Sequence, residues 1–394
     1  MLRQSLNNIL GRTAAVLTCA LATIPVAAAQ EPSMPPPPDN RELERRIDAL
    51  AAELEAGVGS GSALDRLHFG GYGEVTYRNF DAATDGGTAS SESDSFDLHR
   101  VVFYIGWDFD DDWRFRSEIE YEHGDEIGVE FAYVEGDLTE SVSLHAGNLL
   151  VPMGFINPRH EPTTFPSAER PFVERTLLPS TWHENGLGLT GDHDTLHWTA
   201  YVLNGFDAAG FDLTTDGFSS GRQGGSQALA EDFALVARLD WDGPGDTLLG
   251  GSFWYGDSAQ GVGPSDFTTT IVELHGEWRR GPARMRAIAV RGTVDDAPLL
   301  PIPAPSDVME GGYLEGQWDV FSGSPTGRSL LPFVRIETWD FMADDAADGR
   351  VWATTVGMAF LPNAHVTFKL DFTDFSGASD LLTDRVAFTI GWAF

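Results

Sequence analysis

The sequence predicts an all-β fold, a transmembrane antiparallel β-barrel of about sixteen strands, preceded by a short N-terminal coiled-coil-like helix. Three observations carry that expectation. Segments with period-two alternation recur from Leu67 to Phe394, with Gly, Asp, Asn, Ser and Pro clusters between them. In many of them one set of positions is apolar and the other charged. In "WRFRSEIEYE", Trp113, Phe115, Ile119 and Tyr121 oppose Arg114, Arg116, Glu118, Glu120 and Glu122. The connections also alternate, short turns with longer polar loops, as in barrels that carry their long loops at one end.

Residues 1–29 read as a secretory signal peptide. Arg3 and Arg12 precede a short apolar stretch, and "AAAQ" offers small residues for cleavage. Cys19 lies within it, so the mature chain would contain no cysteine. Residues 30–40 form a proline-rich linker. In 41–56, Leu43, Ile47, Leu50 and Leu54 follow heptad spacing, which suits either a short coiled coil or an amphipathic helix lying on its own domain. Residues 57–66 are a flexible linker, and 67–394 the barrel.

The strand segments are 68–80, 96–109, 113–123, 128–138, 141–150, 185–191, 196–204 and 232–241. They continue with 247–256, 270–280, 283–292, 311–320, 331–341, 351–361, 365–375 and 385–394. The longer loops are 81–95, 151–183, 205–230, 257–266 and 293–308; only "HGDE" is short where the rhythm expects length. Ten residues rising about 3.3 Å each, tilted by about 40°, climb about 25 Å, the height of a barrel's apolar band. The aromatic faces would therefore meet the lipid bilayer and the charged faces a lumen, since a soluble core cannot hide such charges. Trp107, Trp113, Trp241, Trp278 and Trp339 lie near strand ends, as an interfacial girdle would require.

The formal charge is -35, and -37 once the signal is removed. An acidic chain with one lysine, Lys369, lacks the basic footprint of nucleic-acid binding. The same acidity also suits a surface hydrated in high salt. His193 and His197, Ser141, Ser143 and His145, and "DFDDDW" do not make a metal, hydrolase or calcium site, so no cofactor, no metal and no enzymatic activity are expected.

The signal, the heptad helix, the strand count and the ending "RVAFTIGWAF" together resemble the phosphate-selective porin O/P family of Gram-negative outer membranes. The most specific stretch is "NLLVPMGFINPRHEPTTFPSAERPFVERTLLPSTWHENGLGLTG", Asn148 to Gly191. The resemblance implies an outer-membrane homotrimer that passes ions and small hydrophilic solutes. It implies that loop 151–183 folds into the pore, with Arg159, His160, Glu161, Glu169, Arg170, Glu174 and Arg175 at the constriction. It also implies that Phe394 ends a signal read by the barrel-assembly machinery. Pro152, Pro158, Pro162, Pro166, Pro171 and Pro179 would stiffen the loop, whose alternative is a lid standing outside the pore.

The lumen wall is expected to carry Arg100, Arg114, Arg116, Glu118, Glu120, Glu122, Glu130, Arg238, Glu273, Arg284, Arg286, Lys369 and Asp371. The family's central lysines have no counterpart beyond Lys369. Mild cation preference from the acidic mouth is therefore the expectation. A phosphate- or anion-selective channel working through the arginines is the alternative. From another class comes a structural barrel that anchors its N-terminal helix to an envelope partner.

Overall fold

The computed structural model describes residues 63–84, 87–325, 327–345, 349–378 and 382–394. The expected signal peptide, proline linker and heptad helix lie outside these residues. The end of the expected flexible linker, Ala63–Arg66, is a 3-10 turn that leads directly into the first strand.

Sixteen antiparallel strands close into a barrel. They are β1 (Leu67–Phe80), β2 (Ser95–Asp108), β3 (Trp113–Glu122), β4 (Glu126–Thr139), β5 (Val142–Leu150) and β6 (His183–His193). Next come β7 (Leu196–Asn204), β8 (Phe233–Gly243), β9 (Thr247–Gly256), β10 (Thr269–Arg280) and β11 (Ala283–Val294). The last are β12 (Val308–Trp318), β13 (Ser329–Asp340), β14 (Val351–Asn363), β15 (Val366–Gly377) and β16 (Arg385–Ala393). Each pairs with its neighbours in sequence, and β1 closes on β16 from Tyr72↔Ala393 to Phe80↔Arg385. All sixteen expected segments are strands.

The wall is apolar outside and charged inside. On β10, Val272 and Leu274 are 44% and 64% exposed, whereas Glu273 between them is 0% exposed. The alternation on β12 is the same, with Leu314 exposed and Glu315 buried. Trp113, Trp241, Trp278 and Trp318 are exposed near the short-turn end. Trp339 does not join them: it is buried and faces inward, on the same parity as Arg335 and Glu337.

Turns at one end are tight. Between β10 and β11 only Gly281 and Pro282 intervene, and Gly281 takes φ 58°, a left-handed conformation that glycine adopts without steric cost. The connection 319–328 between β12 and β13 is the longest at this end.

Four register shifts interrupt the strict alternation of the described strands, and two of them leave a titratable residue as the extra one. The β1–β2 register shifts at Glu74/Val75, leaving His99 as the extra residue. The β3–β4 register shifts at Glu118/Ile119, leaving Glu130 as the extra one. Gly128 stands opposite Glu120, and Glu118, which a regular continuation would set against Glu130, pairs with Phe131 instead. The bulge turns Glu130 inward all the same, and it is buried.

An apolar core lies inside the barrel rather than around it. Trp182, Phe206, Trp254, Phe211 and Phe218 are buried there; Trp182 and Trp254 stand 4.6 Å apart and Phe206 stacks on Trp182 at 5.0 Å. Loops 151–182 and 205–232 supply four of these five residues, all but Trp254.

Candidate channel lumen and its internal loop

Segment 151–182 leaves β5, enters the barrel and returns to β6. Its neck is closed by Val151 N–H donating to the Trp182 carbonyl at 2.9 Å. Asn157 clasps both sides of that neck: its amide donates to the carbonyls of Val151 (2.7 Å) and Trp182 (2.8 Å), and its oxygen accepts from Trp182 N–H (2.7 Å). A short helix, α1 (Val173–Thr176), follows the crossing.

Three anchorages hold the crossing segment. The first is electrostatically negative on the wall side. Glu118 and Glu120 on β3 and Glu130 on β4 are buried under the loop. His160 Nε2 lies 3.2 Å from Glu118 and 3.0 Å from Glu130, while its Nδ1 meets the Asn157 carbonyl at 2.9 Å. Burial opposes a charge on this imidazole, but the carboxylates of Glu130 and Glu118 outweigh it and push the pKa up to about 10. Arg100 reaches Glu74 (3.1 Å), Glu120 (3.0 Å), Glu122 (3.4 Å) and Glu130 (4.0 Å). Glu161 accepts from the Tyr104 hydroxyl at 3.1 Å, and Arg170 donates to the His160 carbonyl at 3.3 Å.

The second anchorage reverses the signs. Glu169 is ringed by Arg78 of β1, Arg385 of β16 and Arg175 of the loop itself, the last at 3.8 Å. Burial alone would raise the Glu169 carboxyl; Arg385, Arg175 and Arg78 overcome that and hold it well below the usual range. Arg175 also lies 4.2 Å from the centroid of Phe172, a cation–π contact.

The third is a seat of hydrogen bonds and rings along the opposite wall. Arg335 donates to Ser167 at 2.8 Å, Asp371 accepts from Ala168 N–H, and Glu337 accepts from Val173 N–H at 3.3 Å. Phe172 stacks on Trp339 at 5.1 Å and meets Phe375 edge-on at 5.0 Å. Lys369 lies 3.6 Å above the ring of Phe165. Glu174 accepts from the N–H groups of Phe155 and Ile156, both at 2.7 Å, and from the Tyr313 hydroxyl at 2.6 Å. Gly154, at φ 71°, makes this possible, since a Cβ there would come 2.5 Å from the Glu174 carboxylate.

Beneath the loop, toward the short turns, a cavity of about 590 Å³ is lined by Arg159, Arg238, Arg279, Arg286, Asp192, Asp240, Asp242 and Glu277, among others. Arg238 pairs with Asp240 at 2.8 Å and donates to the Gly154 carbonyl at 2.7 Å. Glu277 gathers Arg279, Arg284 and Arg286. Glu273 accepts from Ser252 at 2.6 Å and meets His275 at 2.8 Å. Beyond the loop, a smaller cavity of about 190 Å³ is lined by Arg78, Arg100, Arg170 and Arg175 with Glu74, Glu169 and His99.

All the sequence-nominated wall residues face inward, but not all of them meet the loop. Arg114 pairs with Glu135 (3.1 Å) and Asp137, and Arg116 with Asp108 (2.9 Å), near the short turns. Neither offsets Glu118 and Glu120; Arg100 and His160 do. Glu174 is consumed in holding the loop's own backbone, so it is not a free pore charge. Arg159 is exposed, in the larger cavity.

Sequence reasoning missed Glu74, Arg78 and loop 205–232. The first two alternate with Tyr72 and Thr76 along β1, a readable parity; the loop's inward fold had only its aromatic residues as a signal. Phe394 exchanges backbone hydrogen bonds with Gly71 at 2.8 and 3.0 Å, and its exposed ring adjoins Phe69 and Phe103. Ser143 donates to Asp137 and His145 meets Thr190 at 3.0 Å, so these two do not form a Ser–His pair.

No family model matches the chain. It is 29% identical over 357 residues to an uncharacterised protein of Aquifex aeolicus (strain VF5), covering 83% of this chain and 80% of that one. Among solved structures it is similar to Salmonella typhi OmpF in complex with daunomycin, with TM-score 0.56, 10% identity and coverage of 83% and 97%. The outer membrane channel DcaP of Acinetobacter baumannii gives TM-score 0.55 and 11% identity, with the same coverage. An outer membrane protein of Vibrio cholerae, OmpT in trimer form, gives TM-score 0.51 at 9% identity, over 83% of this chain and 99% of that one. The shared feature is the fold, a closed antiparallel barrel.

Proposed function

We propose that this protein is an outer-membrane channel for passive diffusion of ions and small hydrophilic solutes, with no catalytic step. The observation that carries the reading is the inside-out wall. Apolar side chains face outward on a closed sheet, and charged ones face a lumen that segment 151–182 crosses and narrows. Closure satisfies every ladder in a bilayer, and a charged interior has a physical use only if water and solutes enter it. The similarity to DcaP and OmpF, channel and porin folds, supports the same reading, and the OmpT trimer supports a homotrimer.

Weak charge selectivity follows from the pairing. The acids that suggested a cation-selective mouth are buried against His160 and Arg100, and the larger cavity has four arginines facing four carboxylates. A phosphate- or anion-selective channel draws support from one observation, the arginine-rich cavity beyond the loop. Planar-bilayer recording tests both. A steady ohmic current with a reversal potential near zero in a tenfold KCl gradient is expected. A large anion-signed potential would favour the second reading, and no steady current would favour a structural barrel.

A further inference from the structure

We propose that Glu118, Glu130 and His160 bind one first-row divalent metal ion of the zinc class, which ties the internal loop to the barrel wall. Their ligand atoms all lie within 4.8 Å of one another, and each residue is buried. The three come from three elements: β3, the bulge of β4 and the loop.

The spacing is that of a coordination shell. Ligands about 2.0–2.1 Å from a tetrahedral zinc stand about 3.3 Å from each other. The imidazole Nε2 lies 3.2 Å from Glu118 Oε1 and 3.0 Å from Glu130 Oε2. His160 is oriented as metal-ligating histidines are: Nδ1 faces the Asn157 carbonyl at 2.9 Å, which leaves Nε2 to the site. Asn157 is itself fixed by the loop's neck, so the ring is held on a rigid support.

A second, independent observation points to a missing ligand. Glu118 Oε2 and Glu130 Oε1 are buried without a hydrogen-bond partner, in residues 1% and 2% exposed. The buried Tyr72 hydroxyl beside them is likewise without one, and its ring meets His160 edge-on at 5.9 Å. Buried carboxylate oxygens are costly to leave unmet. Arg100 is shared among Glu74, Glu120 and Glu122 and reaches Glu130 only at 4.0 Å. A cation at this point would offset the buried charge of both carboxylates. A cavity of about 270 Å³, lined by Glu118, His160 and Glu161, gives an entry path. An imidazole among carboxylates suits zinc, manganese or cobalt over calcium and magnesium, which prefer oxygen alone.

The rival account is a protonated His160 bridging the two carboxylates with no metal. Zinc uptake decides between them without requiring that the barrel conduct, so it fails separately from the channel reading. Full-length protein purified in detergent, stripped with chelator and titrated with Zn²⁺ should bind one equivalent that excess Mg²⁺ does not displace. Glu118→Gln and Glu130→Gln should each weaken binding at least tenfold, whereas Asp97→Asn should not. Zinc-edge X-ray absorption of the loaded wild type, which needs no variant to fold, should read one imidazole among oxygen ligands. Absence of uptake by a folded wild type would overturn the proposal. So would uptake that both glutamine variants retain, or a shell with two imidazoles, which would belong to Asp97, His99 and His123.

Discussion

The two charged anchorages of segment 151–182 are mirror images in sign. On one side a loop carboxylate, Glu169, sits among three guanidinium groups, two of them from the wall. On the other a loop imidazole, His160, sits between two wall carboxylates. The loop carries charge of both signs, and each sign is set against its opposite on the wall. The difference teaches that charges on such a loop first fix where the loop lies, and only the remainder faces the solute. A buried charge that lost its partner would cost far more than an exposed one.

Reversing one side should break that symmetry most. Glu169→Lys would place a fourth cation beside Arg78, Arg175 and Arg385, displacing the loop and leaving the lumen strongly basic. The expected outcome is a larger single-channel current with clear anion preference in a salt gradient. An unchanged reversal potential would place this cluster away from the path.

Glu174→Ala tests the neutral seat between the two. It orphans the buried N–H groups of Phe155 and Ile156 and the Tyr313 hydroxyl. The barrel should lose about 3 kcal/mol or more, because each of the three unmet buried donors costs roughly 1–3 kcal/mol. The heat-dependent shift in gel mobility should move to lower temperature, and a shift identical to wild type would show that Glu174 bears no such role.

Arg100→Met sharpens the acidic side. Removing the guanidinium that reaches Glu74, Glu120, Glu122 and Glu130 should move the reversal potential toward cations, opposite in sign to Glu169→Lys and smaller. The effect should fade near 1 M salt, where screening shortens to about 3 Å.

The smallest effect concerns pH. The Glu169 carboxyl is depressed in the folded protein, so its contribution is complete above its unfolded pKa and is lost only as pH falls through the lower folded value. Lowering pH from 7 to 4 should therefore leave Glu169 ionised, and the carboxylate infrared band that Glu169→Gln removes should persist at pH 4. Its disappearance by pH 4 would contradict this.

The strands and their inward faces were legible because period two states both at once. Glu118, Arg238, Glu273 and Asp371 could be placed from parity alone. Trp339 could have been as well, had its alternation with Arg335 and Glu337 outweighed its position near a strand end. The cross-strand partner of Glu118 was not legible, because the bulge at Glu130 adds a residue that alternation does not count. The roles of Glu169, Glu174 and His160 were not legible, since each depends on a wall residue brought close only by closure of the barrel. Arg385 lies in the last strand and Tyr313 four strands before it.

Single-channel recording of the Arg159→Cys protein tests whether solutes pass through the lumen beside the loop. Arg159 is exposed in the cavity between the loop and the short turns. A steady current that drops when a bulky thiol reagent is added from the short-turn side is expected, with a wild-type current that does not change. A barrel that passes no current, or a current indifferent to the reagent, would contradict it.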